Sequence, residues 1–279
     1  MTGSVGLSAL AVTHGPSVLL ASGPSELPSI DDFLPPEILF QGTPFAMNRI
    51  VLIRVISTVF LLVVFGLTAK RAKLIPGRWQ GFVEWMIDFV KYNVVYATMG
   101  ELRGKRYVPV CCTIFFAALC FNLCGVIPGM NIAATATIAM PLMFALWTLT
   151  QYWRSGIRSN GGLGKYLKKE MFPAGVPWPV YILLSPIKFL EIAIIQPGAL
   201  TLRLFANMVS GHLTLATALV MADWYIVQAH SAVMVPVGAL WFVFGFLMTA
   251  FEIFIACLQA FIFAVLTAVY INSSYPEDE

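Results

Sequence analysis

Long apolar runs separated by short basic loops set the pattern of this chain. A bilayer core takes about 20 apolar residues per spanning helix. Ile50 to Thr68 supplies the first such run, and Lys70, Arg71 and Lys73 follow before Pro76-Gly77. Val108 to Ile127 predicts a second span, closed by Pro128-Gly129, and Thr135 to Trp153 predicts a third. Between the first two spans the period changes. Trp79, Phe82, Val83, Met86, Ile87 and Val90 recur at helical spacing with Glu84, Asp88 and Lys91 interleaved. This predicts an amphipathic helix over 79–106 lying on the membrane surface, although a solvated connector helix has the same pattern.

Two further apolar regions, Pro179 to Ala222 and Ser231 to Asn272, each exceed 40 residues. A straight helix of about 40 residues is roughly 60 Å long, twice the hydrocarbon thickness of about 30 Å. Each region is therefore either two spans or one long helix that is strongly tilted or partly horizontal. Basic residues orient the set. Thirteen of the 17 Lys and Arg fall within 70–106 and 154–169, which the positive-inside rule assigns to the cytoplasm. Three spans ahead of the second basic loop put the N-terminus outside. One span per long region returns Glu277-Asp278-Glu279 to the cytoplasm and gives five; two per region gives seven with the same ends.

Composition sets the class. Hydrophobic residues make up 59% of the chain and charged residues 11%, with a mean hydropathy of +0.82. Soluble domains carry about 25% charged residues, so the expected fold class is an all-α polytopic membrane protein. It has about five transmembrane helices and one membrane-surface helix. A net charge of +3 is too small to indicate nucleic acid. The five cysteines at 111, 112, 120, 124 and 257 lie inside apolar runs without accompanying histidines. They read as small buried hydrophobes, and no metal, disulfide or cofactor is predicted. No Gly-x-x-x-x-Gly-Lys-Ser/Thr loop occurs, so nucleotide chemistry is not expected in this chain. Residues 1–22 lack a basic n-region and their apolar stretch is broken by His14, Gly15 and Pro16, while residues 1–45 are Pro-rich and carry Glu26, Asp31, Asp32 and Glu37. They read as an uncleaved extracytoplasmic extension, with residues 46–279 as the membrane domain.

Charges inside the long apolar regions are the chemical signal, because each costs a few kcal/mol or more at mid-bilayer. Lys188, Glu191, Arg203, His212 and Glu252 are there, with the amides of Asn207 and Gln259. Arg203 has no acidic residue within one helical turn, and its guanidinium stays charged. It requires a carboxylate from elsewhere in the chain, such as Glu191 or Glu252, or from a partner. At about 100° per residue, Asn207 and Ser210 fall near the face of Arg203, and His212 falls roughly opposite. On the last helix Glu252, Gln259 and Tyr270 share one face, a stripe suited to a hydrated proton path or to polar contacts between helices. His212 and Glu252 are the two groups here able to titrate near neutral pH.

These residues carry a resemblance. Leu202-Arg203-Leu204-Phe205-Ala206-Asn207-Met208 with Gly211-His212-Leu213 resembles a signature of subunit a of F-type ATP synthases. A second signature runs from Glu252 through Leu258-Gln259-Ala260-Phe261-Ile262-Phe263 to Tyr270. Asn122-Leu123-Cys124-Gly125-Val126-Ile127-Pro128-Gly129 looks like a motif closing an earlier span. The resemblance covers roughly residues 40–272, in order and at matching spacing. It implies a bacterial plasma-membrane stator subunit whose last two helices form a tilted hairpin against a rotating ring of small hairpin subunits (the c-ring). Peripheral-stalk b subunits and, indirectly, the soluble F1 sector are the other implied partners. Arg203 matches the arginine facing the ring carboxylate. His212 and Glu252 match a pair lining the outer half-channel, with identities exchanged in some bacterial members. Asn207, Gln259 and Asn122 match polar positions near the two paths, and Tyr270 stands at the end of the second signature. Ala199, Gly125 and Gln196 depart from residues common in relatives. Protons are favoured over sodium by His212 and Glu252. The rival readings are a secondary transporter using Arg203 for an anionic substrate, which would need repeated halves, and a structural membrane anchor.

Overall fold

The computed structural model describes residues 37–39, 47–127, 137–171, 178–228 and 234–275. Most of the extension over 1–45, the Pro128-Gly129 closure, the start of the third span and the acidic C-terminal end lie outside the described residues. Of the extension, Glu37–Leu39 (β1) pairs antiparallel with Met47–Asn48 (β2) just before the first helix.

Helices make up nearly all the rest. α1 spans Arg49–Lys70, two residues longer than the predicted Ile50–Thr68 at its C-terminal end. The amphipathic segment is not one helix. α2 (Arg78–Val90) passes into a π-helical stretch, Lys91–Tyr96, and then into α3 (Ala97–Gly104), which breaks at Gly100 where φ is +74°. Only glycine reaches that backbone region at no steric cost. α4 (Val108–Leu123) and α5 (Ala139–Ser159) follow, then the short α6 (Leu163–Met171).

Neither long apolar region is divided by a turn, so each is one helical run and the seven-span alternative falls away. The first comprises α7 (Trp178–Leu190), a π-helical stretch (Glu191–Ile195), α8 (Gln196–Asp223) and a final widened turn (Trp224–Gln228). Pro197 cannot donate to the preceding turn, and the widened stretch Glu191–Ile195 ends directly before Gln196-Pro197. The second is α9, Val235–Ser273, whose 39 residues extend about 58 Å. By length and composition Ile50–Lys70, Leu183–Val227 and Val235–Ser273 can cross a membrane, and Val108–Leu123 is a shorter apolar helix. The chain is an all-α, multi-pass membrane protein.

α8 and α9 form an antiparallel hairpin with a regular register. An added Cβ on Gly238 would meet Ile226, and one on Gly245 would meet Leu219 at 3.4 Å; His212 meets Glu252. These contacts step by seven residues along both helices, the spacing that keeps one seam facing a partner helix. Glycines at 238 and 245 let the backbones close up. Further along the same seam stand Glu252 and Gln259, so the stripe begins where the glycines end.

A second face of α9 is equally specific. Ala260, Ala264 and Ala268 are fully buried at intervals of four, packed with Cys111, Phe115 and Ala118 of α4 and with Val90, Val94, Val95 and Met99 of the α2–α3 segment. Small side chains at i, i+4 and i+8 give the flat face that close packing in a membrane requires. The amphipathic segment thus docks its aliphatic side on the bundle. Trp79, Phe82, Trp85 and Phe89 form an exposed row with ring centroids 6.3 to 6.4 Å apart.

Candidate functional site

The seam between α8 and α9 carries the candidate chemistry. Glu252 is 9% exposed and His212 6%, and His212 Nδ1 lies 3.2 Å from Glu252 Oε1. Gly211 makes the room: a Cβ there would sit 3.3 Å from Oε1 and 3.6 Å from the carboxyl carbon. That approach is an ion-pair contact without hydrogen-bond geometry, and among the described residues neither carboxylate oxygen of Glu252 accepts a hydrogen bond. A buried carboxyl in that state is costly unless it is protonated or meets water.

Beside Glu252 lies a small cavity of about 20 Å³, enough for one or two waters. Asn122 of α4, Asn207 of α8 and Glu252 and Gln259 of α9 all line it. Three separate helices therefore bring four of the seven sequence-predicted residues to one place. Asn122 and Gln259 are buried, at 5% and 6% exposure, and the Gln259 amide nitrogen has no hydrogen-bonding partner among the described residues. Leu204, Met208, Ile255 and Ala256 complete its lining, so three amides and a carboxyl face one another in an otherwise apolar space.

Tyr270 stands apart from this group, in a second small cavity with Gln196, Pro197 and Leu200. A neighbouring contact, Thr148 to Thr267 at 3.2 Å, ties α5 to α9.

Arg203 lies outside both cavities and is exposed on α8, with Leu202 and Ala206 exposed beside it. Among the described residues no carboxylate comes within 4.0 Å of its guanidinium. Both internal partners that the sequence offered are engaged elsewhere. Glu191 pairs with Lys188 at 2.9 Å, one turn away on the same helical run, and Glu252 faces His212. Among the described residues the internal salt bridge is thus absent, and the arginine is left on an exposed face of α8.

Arg54 is a charge that the sequence reading passed over. It sits half-buried in α1 and its guanidinium hydrogen-bonds the Thr137 hydroxyl just ahead of α5. Its signal was plain, a lone cation five residues into an apolar run. Its partner is 83 positions away and carries no motif.

Comparison with known proteins identifies the family. The profile of the family described as "ATP synthase A chain" matches residues 51–272. A protein named ATP synthase subunit a from Rhodococcus erythropolis is 36% identical over 260 residues, covering 93% of this chain and 94% of its own length. Proteins of the same name from Frankia alni and Pseudarthrobacter chlorophenolicus are 35% and 30% identical, covering 84% and 92% of this chain and 79% and 96% of theirs. The chain belongs to the ATP synthase A chain family, the proton-translocating membrane subunit of the ATP synthase.

Proposed function

We propose that this chain forms two offset half-channels that carry protons to and from the carboxylates of a rotating c-ring, with Arg203 facing the ring. The observation that carries the reading is the exposed guanidinium of Arg203, which has no carboxylate partner among the described residues while Glu191 and Glu252 are engaged elsewhere. A permanent cation on an apolar helix face calls for an external counter-charge, and a ring carboxylate supplies one.

At about 4 Å, opposite unit charges attract by roughly 4 kcal/mol at an effective dielectric near 20. Arg203 thereby holds the passing ring acid in its deprotonated form and keeps a proton from slipping past without rotation. A proton arrives through the cavity lined by Asn122, Asn207, Glu252 and Gln259, where Glu252 takes it up and His212 accepts or returns it across their contact. The ring acid, once neutral, moves into lipid. Each charge crossing gains about 2.3 kcal/mol per 100 mV of potential. The Tyr270 cavity, lined also by Gln196 and Thr148, serves the other half-channel.

In this reading the N-terminal extension over 1–45 lies outside and the basic loops and C-terminus lie in the cytoplasm. The chain carries no ATP chemistry itself, and peripheral-stalk b subunits hold it against the F1 sector. The test replaces Arg203 with Ala and follows ATP-driven acidification of inverted membrane vesicles. Loss of pumping with the complex assembled is expected; retained pumping refutes the assignment.

A further inference from the structure

A large apolar cavity opens between α1, α2 and α4, and none of its lining residues lines the cavity beside Glu252. It measures about 390 Å³ and is lined by side chains such as Phe60, Val64, Phe82, Met86 and Leu119, within the range of ligand pockets of about 300–1,000 Å³. Its neighbour carries the cations: a recess of about 450 Å³ whose lining includes Arg71, Lys73, Arg78 and Gln80 beside Leu67 and Trp79. Trp79 lines both, and Val64 of the first lies one helical turn from Thr68 of the second. The two spaces are neighbours along α1, with Trp79 between them.

The basic recess is built on a fixed loop. The Gln80 side chain accepts from the Lys73 backbone N–H at 3.1 Å and donates to the Lys73 carbonyl at 3.0 Å. Glu84 is the nearby acid, and it accepts from the same amide at 2.7 Å. Among the described residues none of Arg71, Lys73 and Arg78 is within ion-pair distance of a carboxylate. At the loop tip Leu74 and Ile75 are exposed, at 105% and 86%. Apolar tips beside cations, with a tryptophan at the seam, fit the level of lipid headgroups.

We propose that the two recesses form one site for an anionic phospholipid, with an acyl chain between α1, α2 and α4 and the phosphate held by Arg71, Lys73 and Arg78. The charge complement selects the headgroup and the cavity selects the tail. Such a lipid fastens the amphipathic segment to α1, whose direct packing leaves this space open. The site is independent of the proton path, so its failure leaves the proposed function standing.

The assembled ATP synthase is placed in phosphatidylcholine vesicles containing a minor fraction of phosphatidylglycerol with a photoactivatable group on its acyl chain. After irradiation, label is expected on Phe60, Val64, Met86 and Leu119. It falls about tenfold in the triple variant R71Q/K73Q/R78Q, because each basic residue near a membrane surface contributes to binding acidic lipid. It falls comparably in V64W, which fills the cavity and leaves the loop intact. A phosphatidylcholine probe with the same reactive chain labels these positions about tenfold less. Equal labelling by both probes overturns the proposal. So does an unlabelled cavity whose position 60, as cysteine, cross-links to a helix of another subunit.

Discussion

Gly211 offers a sensitive probe of the Glu252 carboxyl, because it is altered on a neighbouring helix while both candidate proton carriers stay in place. An alanine Cβ would stand 3.3 Å from Oε1, 3.6 Å from Cδ and 3.8 Å from Cγ of Glu252. The shortest of these requires the carboxyl to move by a few tenths of an ångström. The backbone gains slightly, since Ala in a helix is favoured over Gly by about 1 kcal/mol, so folding is preserved. The expected damage is to geometry: the 3.2 Å approach of His212 to Glu252 is disturbed and the adjoining cavity reshaped. Misplacement by about 1 Å costs roughly a hundredfold in positioned chemistry. A few tenths in Gly211→Ala should therefore slow pumping about three- to tenfold, and the bulk of Gly211→Leu should slow it about a hundredfold. The assay is ATP-driven acidification of inverted vesicles, with ATP hydrolysis and the amount of this subunit in the membrane measured alongside. A Gly211→Leu complex that assembles normally and pumps at the unaltered rate would refute the reasoning.

Other predictions follow from the same structure. Glu252→Gln keeps the shape but removes the titrating group, and proton-driven ATP synthesis in vesicles should fall about a hundredfold or more, the usual scale for a lost acid–base group. Ala264→Leu places a large side chain at a position of zero exposure between α4 and α9; overpacking of about 1–3 kcal/mol should lower the amount of subunit found in membranes by immunoblot. Tyr107→Phe removes the hydrogen bond to Ser155 at 3.0 Å and the one shared with Tyr275 at 2.9 Å. A loss of about 1–2 kcal/mol should appear as a lower unfolding temperature of the detergent-solubilised complex, with pumping preserved.

How far the sequence carried the picture depended on whether a feature was local. The limits of α1 follow from hydrophobicity alone, because each end of the apolar run meets a charge. The single-helix character of the two long regions was undecided by pattern, since topology counts work equally for five or seven spans. Only coordinates exclude an internal turn. The break at Gly100 was hidden because glycine in a helical pattern reads as a tolerated interruption unless its φ is known. Within the site, the Glu252 and Gln259 stripe was readable from heptad spacing, and the outward face of Arg203 from its angle relative to His212. Convergence of Asn122 on the same cavity was not, since that residue belongs to α4 and nothing in the spacing links it to α9. The partner of Glu191 was in principle legible, as Lys188 stands three residues earlier, a separation at which helical side chains meet.

The central claim is that the face of α8 bearing Arg203 meets a moving partner. Single cysteines at Leu202, Ala206 and Ser210, all exposed on or beside that face, can be tested for cross-linking in the assembled complex against cysteines at the buried positions Leu204 and Met208. The account predicts that the exposed set cross-links to the small ring subunit, that the buried set does not, and that the cross-link stops rotation-coupled pumping. Absence of any ring cross-link from the exposed set, with Arg203 found against a carboxylate of its own chain in the assembled complex, would contradict it.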